Sequence, residues 1–503
     1  MNSSVLGVRL ALAYLCVVCF SSAGSQHAIS LPPDSENAAL LYYQAFLLRP
    51  EPNDVVDMLL EETPIEAIDH LLRTGDFLPL ADMRMEISEL EDLCRRIGID
   101  YENEKVLDQY AAVVLDYFNA AEMAKFNALP GSADEKMKLG FLAISYQGLQ
   151  EEQSKLQDMN LREMLREYLD GAMPTVAVIR VGTVLDECDW GYQHSKGIAA
   201  PQPQLRASRA IASLLRARAL QLAADGKVHS SLQLSLAMRR FALHLGVDTF
   251  LANAIAISTD MKSLKLIGIL LRDIGTDPKQ LVWLKGQLAS QRPSALPLSR
   301  ALQRDSEHVL QTVRKREDLL SLSREALKLK SEIVGQTSEI DSMTDEELIR
   351  MAAKPYLQFT KRAIEIIDSN DLTFDERDSA LAKLLEEFKD MREKEYRVEA
   401  VLLKPEKAMG LAFAQFASNR LLEFHLNQTR YTGFYNRLLV AIEVLLVHAQ
   451  TGQWPDALPD GLPKDPFTGK GFTYEKTETG FALSFDGKYV KESKGGRYEF
   501  KSR

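Results

Sequence analysis

N-cap boxes spread along the chain constrain this sequence more than any other feature. They stand at Ser132 with Glu135, Asn160 with Glu163, Thr344 with Glu347 and Thr373 with Glu376. Each sets a side-chain acceptor over amides that a helix start leaves bare, and a carboxylate in the first turn. Thr63-Pro64-Ile65-Glu66 reads as a further box, with Pro at the first helical position. Asn37 to Leu48 is rich in Ala, Leu and aromatics and is stopped by Pro50 and Pro52, and Met83 to Ile97 is closed by Gly98. Leu107, Tyr110, Ala111, Val114, Phe118 and Ala121 form a stripe at helical period that ends at Pro130-Gly131. The predicted fold is mainly α.

The middle is the most regular part. Leu205 to Ala224 reads as one helix, Asp225-Gly226 as a turn, and Val228 to Leu245 as a second helix stopped at Gly246. A third begins over Phe250 to Ile257. Antiparallel helices joined by a two-residue turn are the unit of an α-solenoid, and this Ala/Leu packing resembles tetratricopeptide units, although no exact repeat of that length recurs. The expectation is an irregular, α-solenoid-like helical array over residues 24–450. Short linkers at Ser195 to Gln204 and Gln291 to Pro297 divide it, with 24–194 and 205–450 as sub-bundles.

After Gln450 the character changes. Pro459, Pro463 and Pro466 exclude a helix. Gly471 to Lys476 and Gly480 to Phe485 alternate as strands, and Arg497 to Lys501 supplies a final one. Residues 451–503 are expected to be a small β-rich module.

The first residues point to export. Arg9 is the only charged residue before Asp34; the apolar run Leu10 to Phe20 follows, then Ser21, Ser22, Ala23, Gly24 and Ser25. That is the layout of a signal peptide, residues 1–23, cleaved after Ala23. Eleven residues fall short of the roughly 20 that span a bilayer, and the alternative is an uncleaved N-terminal anchor. No later segment reads as a membrane span, so the mature chain is expected in the periplasm or cell envelope. Sixty basic against 71 acidic residues give a net charge of −11, which disfavours general nucleic-acid binding. Cys94 and Cys188 remain after cleavage, and sequence leaves open whether they pair.

Two groups of residues resemble known proteins. Asn436 to Asp486 carries a helix with Arg437, Leu438, Leu439, Ala441, Ile442 and Glu443. Thr451-Gly452-Gln453-Trp454-Pro455, Leu462 to Lys470 and Phe485-Asp486-Gly487 follow it. That order is similar to the globular part of type II secretion pseudopilins, with their "G-x-x-P", "DP" loop and closing "DG". The N-terminus departs from that family, having an ordinary export signal followed by about 400 residues of helix. Asn37 to Phe46, Cys188-Asp189-Trp190 and the Leu205 to Leu245 hairpin resemble exported helical proteins of planctomycete-type bacteria, a group with no established activity to carry over. Some pseudopilins bind calcium near the "DG", which the resemblance would place at Asp486 with Asp465 earlier in the loop. Calcium takes six to eight oxygen ligands, and few acids lie between Gly480 and Ser493. The plainer reading has both aspartates organising turns.

Chemistry-bearing patterns are sparse. The sequence has no H-E-x-x-H, G-x-S-x-G or G-x-G-x-x-G motif, and no cofactor or metal signature is expected. Cys188, Asp189 and His194 lie close in sequence, and a thiol nucleophile needs a base in reach, but packing of Cys188 and Trp190 is the favoured reading. His425 and His448 sit on late helices without a fixed carboxylate pattern. Arg206, Arg209 and Arg216, with Ser213 and Leu220, follow helical spacing, and Arg239 and Arg240 lie on the partner helix. They read as a solvated basic strip, or one that meets an acidic partner. No catalytic, cofactor or metal residue is assigned. The functional expectation is an exported non-catalytic scaffold that binds another envelope protein. The alternatives are an envelope enzyme whose site is assembled from distant residues, and an accessory part of a secretion or pilus-like assembly.

Overall fold

The computed structural model describes residues 37–51, 53–61, 63–76, 92–98, 106–107, 109–110, 128–132, 135–136, 138–140, 143, 156, 159–191, 202–246, 249–291, 298–312, 344–369, 371–395, 421–485 and 497–501. Its helices run in the order α1 (Ala38–Leu47), α2 (Asp54–Glu61), α3 (Ile65–Thr74), α4 (Leu161–Gly171), α5 (Met173–Gly182), α6 (Pro203–Ala224) and α7 (Val228–Leu245). There follow α8 (Phe250–Ile274), α9 (Pro278–Ser290), α10 (Leu298–Thr312), α11 (Asp345–Ile367), α12 (Phe374–Glu395) and α13 (Leu421–Thr451). Strands β1 (Thr473–Lys476), β2 (Gly480–Ser484) and β3 (Arg497–Lys501) close the chain, which is therefore mainly α with a small C-terminal sheet. By packing it forms two units, one of Met1–Arg49 with Met173–Arg503, the other of Pro50–Ala172.

In the unit of Pro50–Ala172, α4 packs on α2 and α3. Leu59, Leu60, Ile68, Leu71 and Leu72 bury against the i, i+4, i+8 stripe Leu161, Leu165 and Leu169. Asn160 accepts from the Glu163 amide at 3.2 Å, and the Ser132–Glu135 box is closed in both directions. The box expected at Thr63 does not form. Pro64 takes the capping position and offers no side-chain acceptor, which makes Glu66 the second helical residue and puts it out of register for a box. Cys94 is buried with Leu93, Leu107, Tyr110, Leu139 and Ala143. Neither Cys94 nor Cys188 is joined in a disulfide.

The larger unit starts with α1 and α5 packed antiparallel. Ala38 N donates to Glu187 O at 2.9 Å at one end, and Thr175 Oγ1 donates to Leu48 O at 2.8 Å at the other. Gly182 lets the pair approach, because a Cβ there would stand 2.7 Å from the Tyr42 ring. The hairpin of α6 and α7 forms over the expected residues. Gly226 turns it at φ +76°, a conformation costly for any side chain, and Ser231 Oγ donates to Ala219 O at 2.6 Å across the two helices. Helix α8 packs on both, beginning at Thr249, whose hydroxyl accepts from the Ala252 amide at 3.1 Å. Further on, α10, α11 and α12 pack in succession, with the boxes at Thr344 and Thr373 both formed.

Helix α13 then reaches back to pack on α8, α9 and α12. A pure solenoid touches only sequence neighbours, so this return contact makes the array irregular. By length and composition α13 would pass for a membrane span, which the sequence analysis did not anticipate. Its apolar residues are instead largely spent inside the fold, with Val440, Ala441, Ile442, Val444 and Leu445 buried.

The sheet is antiparallel in the order β1-β2-β3, with Tyr474 opposite Leu483 and Leu483 opposite Tyr498. It does not stand apart from the helices. Phe485 seats on Gly433 of α13 so closely that a Cβ there would collide with its ring, and Tyr498 Oη donates to Gly268 O of α8 at 2.8 Å. Asn436 Nδ2 donates to Lys464 O at 2.8 Å.

Candidate functional site

A charged residue inside an apolar helix stripe needs a partner, since burying an unpaired charge is costly. Helix α8 carries one such residue, Asp260, and α7 carries another, Arg239; they are 2% and 1% exposed. Tyr431 of α13 completes the cluster. Its hydroxyl donates to Asp260 Oδ2 at 2.7 Å and accepts from Arg239 Nη2 at 3.5 Å, while the two charges stand 3.7 Å apart. The Arg239 guanidinium also lies over the Tyr435 ring at 4.7 Å, a buried cation–π contact. Burial pushes the Asp260 carboxyl up, while Arg239, Tyr431 and Ser263 pull it back. Burial raises the Tyr431 hydroxyl too, so it remains a donor. This junction binds α7, α8 and α13 into one piece.

A second cluster joins α1 to α7 through the segment 183–191. Tyr42 Oη meets His244 Nδ1 at 2.6 Å, and Trp190 Nε1 donates to His244 O at 2.7 Å. The Tyr42 ring stacks on Trp190 and packs edge-on to Phe241, with centroids 5.5 and 4.8 Å apart. Burial, followed by the neighbouring Arg240 charge, lowers the His244 pKa to about 4. Asn37 gives this junction a polar brace, donating to Asp189 O at 2.7 Å and accepting from Asp189 N at 2.9 Å.

The residues singled out in the sequence separate on this frame. Asp189 serves the backbone, its carboxylate accepting from Gly191 N at 2.9 Å. Cys188 is half-buried beside the Tyr42 cluster, and His194 lies outside the described residues. The basic strip does not form as a surface: Arg206 and Arg209 are exposed, Arg216 and Arg239 are buried, and Arg240 pairs with Asp186 at 2.8 Å. The burial of α6 divides it: Arg206 and Arg209 precede a stretch, Ala210 to Ala217, that is covered on every side, and Arg216 lies within that stretch. His425 is buried, stacked on Phe374 at 4.9 Å, with Asp378 3.8 Å from Nδ1; burial first, then Arg377, lowers its pKa to about 4. His448 stacks on Trp454 at 3.8 Å.

Asp465 is fully buried and builds a turn. Its carboxylate accepts from Phe467 N at 2.9 Å and from the Thr468 hydroxyl at 3.3 Å, and its backbone bonds to Lys470 and Gly469. Asp486 lies outside the described residues. Among the described residues no group of three His, Cys, Asp or Glu could hold a metal ion. Beside this turn the Arg437 guanidinium lies over Phe434, Phe485 and Tyr498 at 4.6, 4.9 and 5.8 Å, and burial brings its pKa down to about 10.

Helical spacing marked Arg239, whereas nothing in the sequence pattern marked Asp260, Tyr431, Tyr42 or His244 as its neighbours or as a second cluster. The available signal was Asp260 itself, an acid set between Ile257 and Leu264 on the buried side of its helix. No protein-family model matches the chain, and no curated protein or solved structure matches it either.

Proposed function

We propose that this chain is an exported helical scaffold that binds another protein of the cell envelope. The observation that carries this reading is the use made of the buried polar groups. Arg239, Asp260 and Tyr431 bond to one another across three helices, and Arg437 lies among rings of α13 and the tail. Both arrangements hold a large helical surface in one shape, which is what a recognition surface requires. The export signal and the resemblance to exported helical proteins support the envelope as its place. The tail acts in this reading as part of the scaffold, since Phe485, Tyr498 and Asn436 are built into its packing.

The test is capture from envelope extract by mature chain, residues 24–503, followed by titration of the purified partner against the same chain. Saturable binding is expected, weakened when exposed apolar side chains such as Leu47, Val184 and Val282 are changed to Asp in a chain that stays folded. A folded mature chain that retains no envelope protein would overturn the proposal.

A further inference from the structure

The Tyr42–His244–Trp190 junction has a geometry that favours the neutral imidazole. His244 Nδ1 faces the Tyr42 hydroxyl at 2.6 Å, and that hydroxyl stays protonated because burial raises its pKa. Such a hydroxyl can donate to Nδ1 or accept from it, so either neutral tautomer keeps the contact. Nε2 has no hydrogen-bond partner among the described residues and is buried. The imidazolium carries a proton on both nitrogens, so its Nε2–H would be a charged donor buried without an acceptor. The resulting cation would lie one helical turn from Arg240, a like charge at i−4.

The charged and titratable groups known to face the junction are few. Tyr42 comes from α1, Asp186 and Cys188 from the 183–191 segment, and Arg240 from α7 itself. Asp186 favours the cation, but its carboxylate is 95% exposed and already engages Arg240. The C-terminal end of α7 would also favour a cation. The His244 carbonyl at that end, however, already accepts the Trp190 indole. Burial and Arg240 win.

We propose that His244 is a proton-operated latch: acidification loosens α1 and the Trp190 segment from α7, uncovering the aromatic cluster of Tyr42, Trp190 and Phe241. The direction follows from the folded state's preference for the neutral ring. With the His244 pKa at about 4, below its ordinary value of about 6.5, docking is at full strength above pH 6.5 and weakens as pH falls through 4.

The experiment is hydrogen exchange, followed by mass spectrometry, on the full mature chain at pH 7 and pH 4.5. Protection factors of the α1 amides are corrected for intrinsic rate. Wild type should lose roughly 50–100-fold protection in α1, the factor that a shift of this size allows at pH 4.5. His244→Gln should lose far less, because its amide oxygen can still accept from Tyr42 and takes no proton. His425→Gln, which alters another buried imidazole, should behave as wild type in α1. Unchanged α1 protection at pH 4.5 overturns the proposal, and so does a His244→Gln chain that opens like wild type. If His244→Gln does not fold, wild type labelled with 13C-histidine decides. The latch requires α1 exchange to rise with the same midpoint as the His244 ring resonance, and exchange that stays flat through that midpoint refutes it.

Discussion

Replacing Asp260 with Ala probes the three-helix junction most directly. The change removes the acceptor of the Tyr431 hydroxyl and leaves the Arg239 guanidinium, 1% exposed, without its anion. Breaking one side of a buried pair costs about 3–5 kcal/mol, because the remaining charge is uncompensated. The 3.7 Å separation is long for a direct ion pair, and the Tyr435 ring still faces Arg239, so the lower end, about 3 kcal/mol, applies. At about 2 °C per kcal/mol for a large domain, Tm should fall by about 6 °C. The double variant Arg239→Met with Asp260→Leu removes both charges and should recover most of that loss, since well-packed apolar replacements of buried ion pairs are often neutral or stabilising. Urea titrations of wild type, Arg239→Met, Asp260→Leu and the double variant measure the cycle. The reasoning fails if Asp260→Ala costs under about 1 kcal/mol, or if the double variant is worse than the two single losses added. A pH series adds a second reading. Burial raises the folded pKa of Asp260, so the proton-linked part of its contribution is whole at low pH and is lost as pH rises through that raised value, leaving the pairing with Arg239 above it. Asp260→Asn should remove that dependence.

Other junctions yield smaller tests. His425, with a folded pKa of about 4, favours its neutral form, so its stability is present above about pH 6.5 and about 3 kcal/mol is lost as pH falls through 4. His425→Gln should flatten acid unfolding by that amount in a pH-dependent melt. Gly433→Ala should cost about 1–3 kcal/mol by pushing Phe485 off α13, visible as a lower urea midpoint. Thr249→Ala should remove the cap of α8 and cost about 1 kcal/mol in the same assay.

The helices were legible because their signals are local. Caps at Asn160, Thr344 and Thr373, the Asp225-Gly226 turn and the proline break after Gln450 each act within a few residues, and each forms as expected. Thr63 shows the limit even there, since a single-residue shift of the cap to Pro64 removed the box. What was not legible is long-range. Tyr431 meets Asp260 across 171 positions and Tyr42 meets His244 across 202, and no periodicity links such partners. The arginines misled for the same reason. Helical spacing located Arg216 and Arg239 on their helices but could not tell which faces later helices would cover. Integration of the tail into α8 and α13 through Tyr498 and Phe485 was equally hidden.

That integration also selects the decisive measurement. A chain cut after Gln450 would strip Phe485 and Tyr498 from the helices and confuse unfolding with lost recognition. The better measurement is the affinity of an intact chain of residues 24–503 for a captured envelope protein, beside Leu47→Asp and Asp260→Ala chains. A scaffold should bind saturably, lose affinity with Leu47→Asp or another surface change while remaining folded, and lose it with Asp260→Ala only in step with unfolding. A folded chain that binds nothing, yet turns over an envelope substrate, would contradict the account.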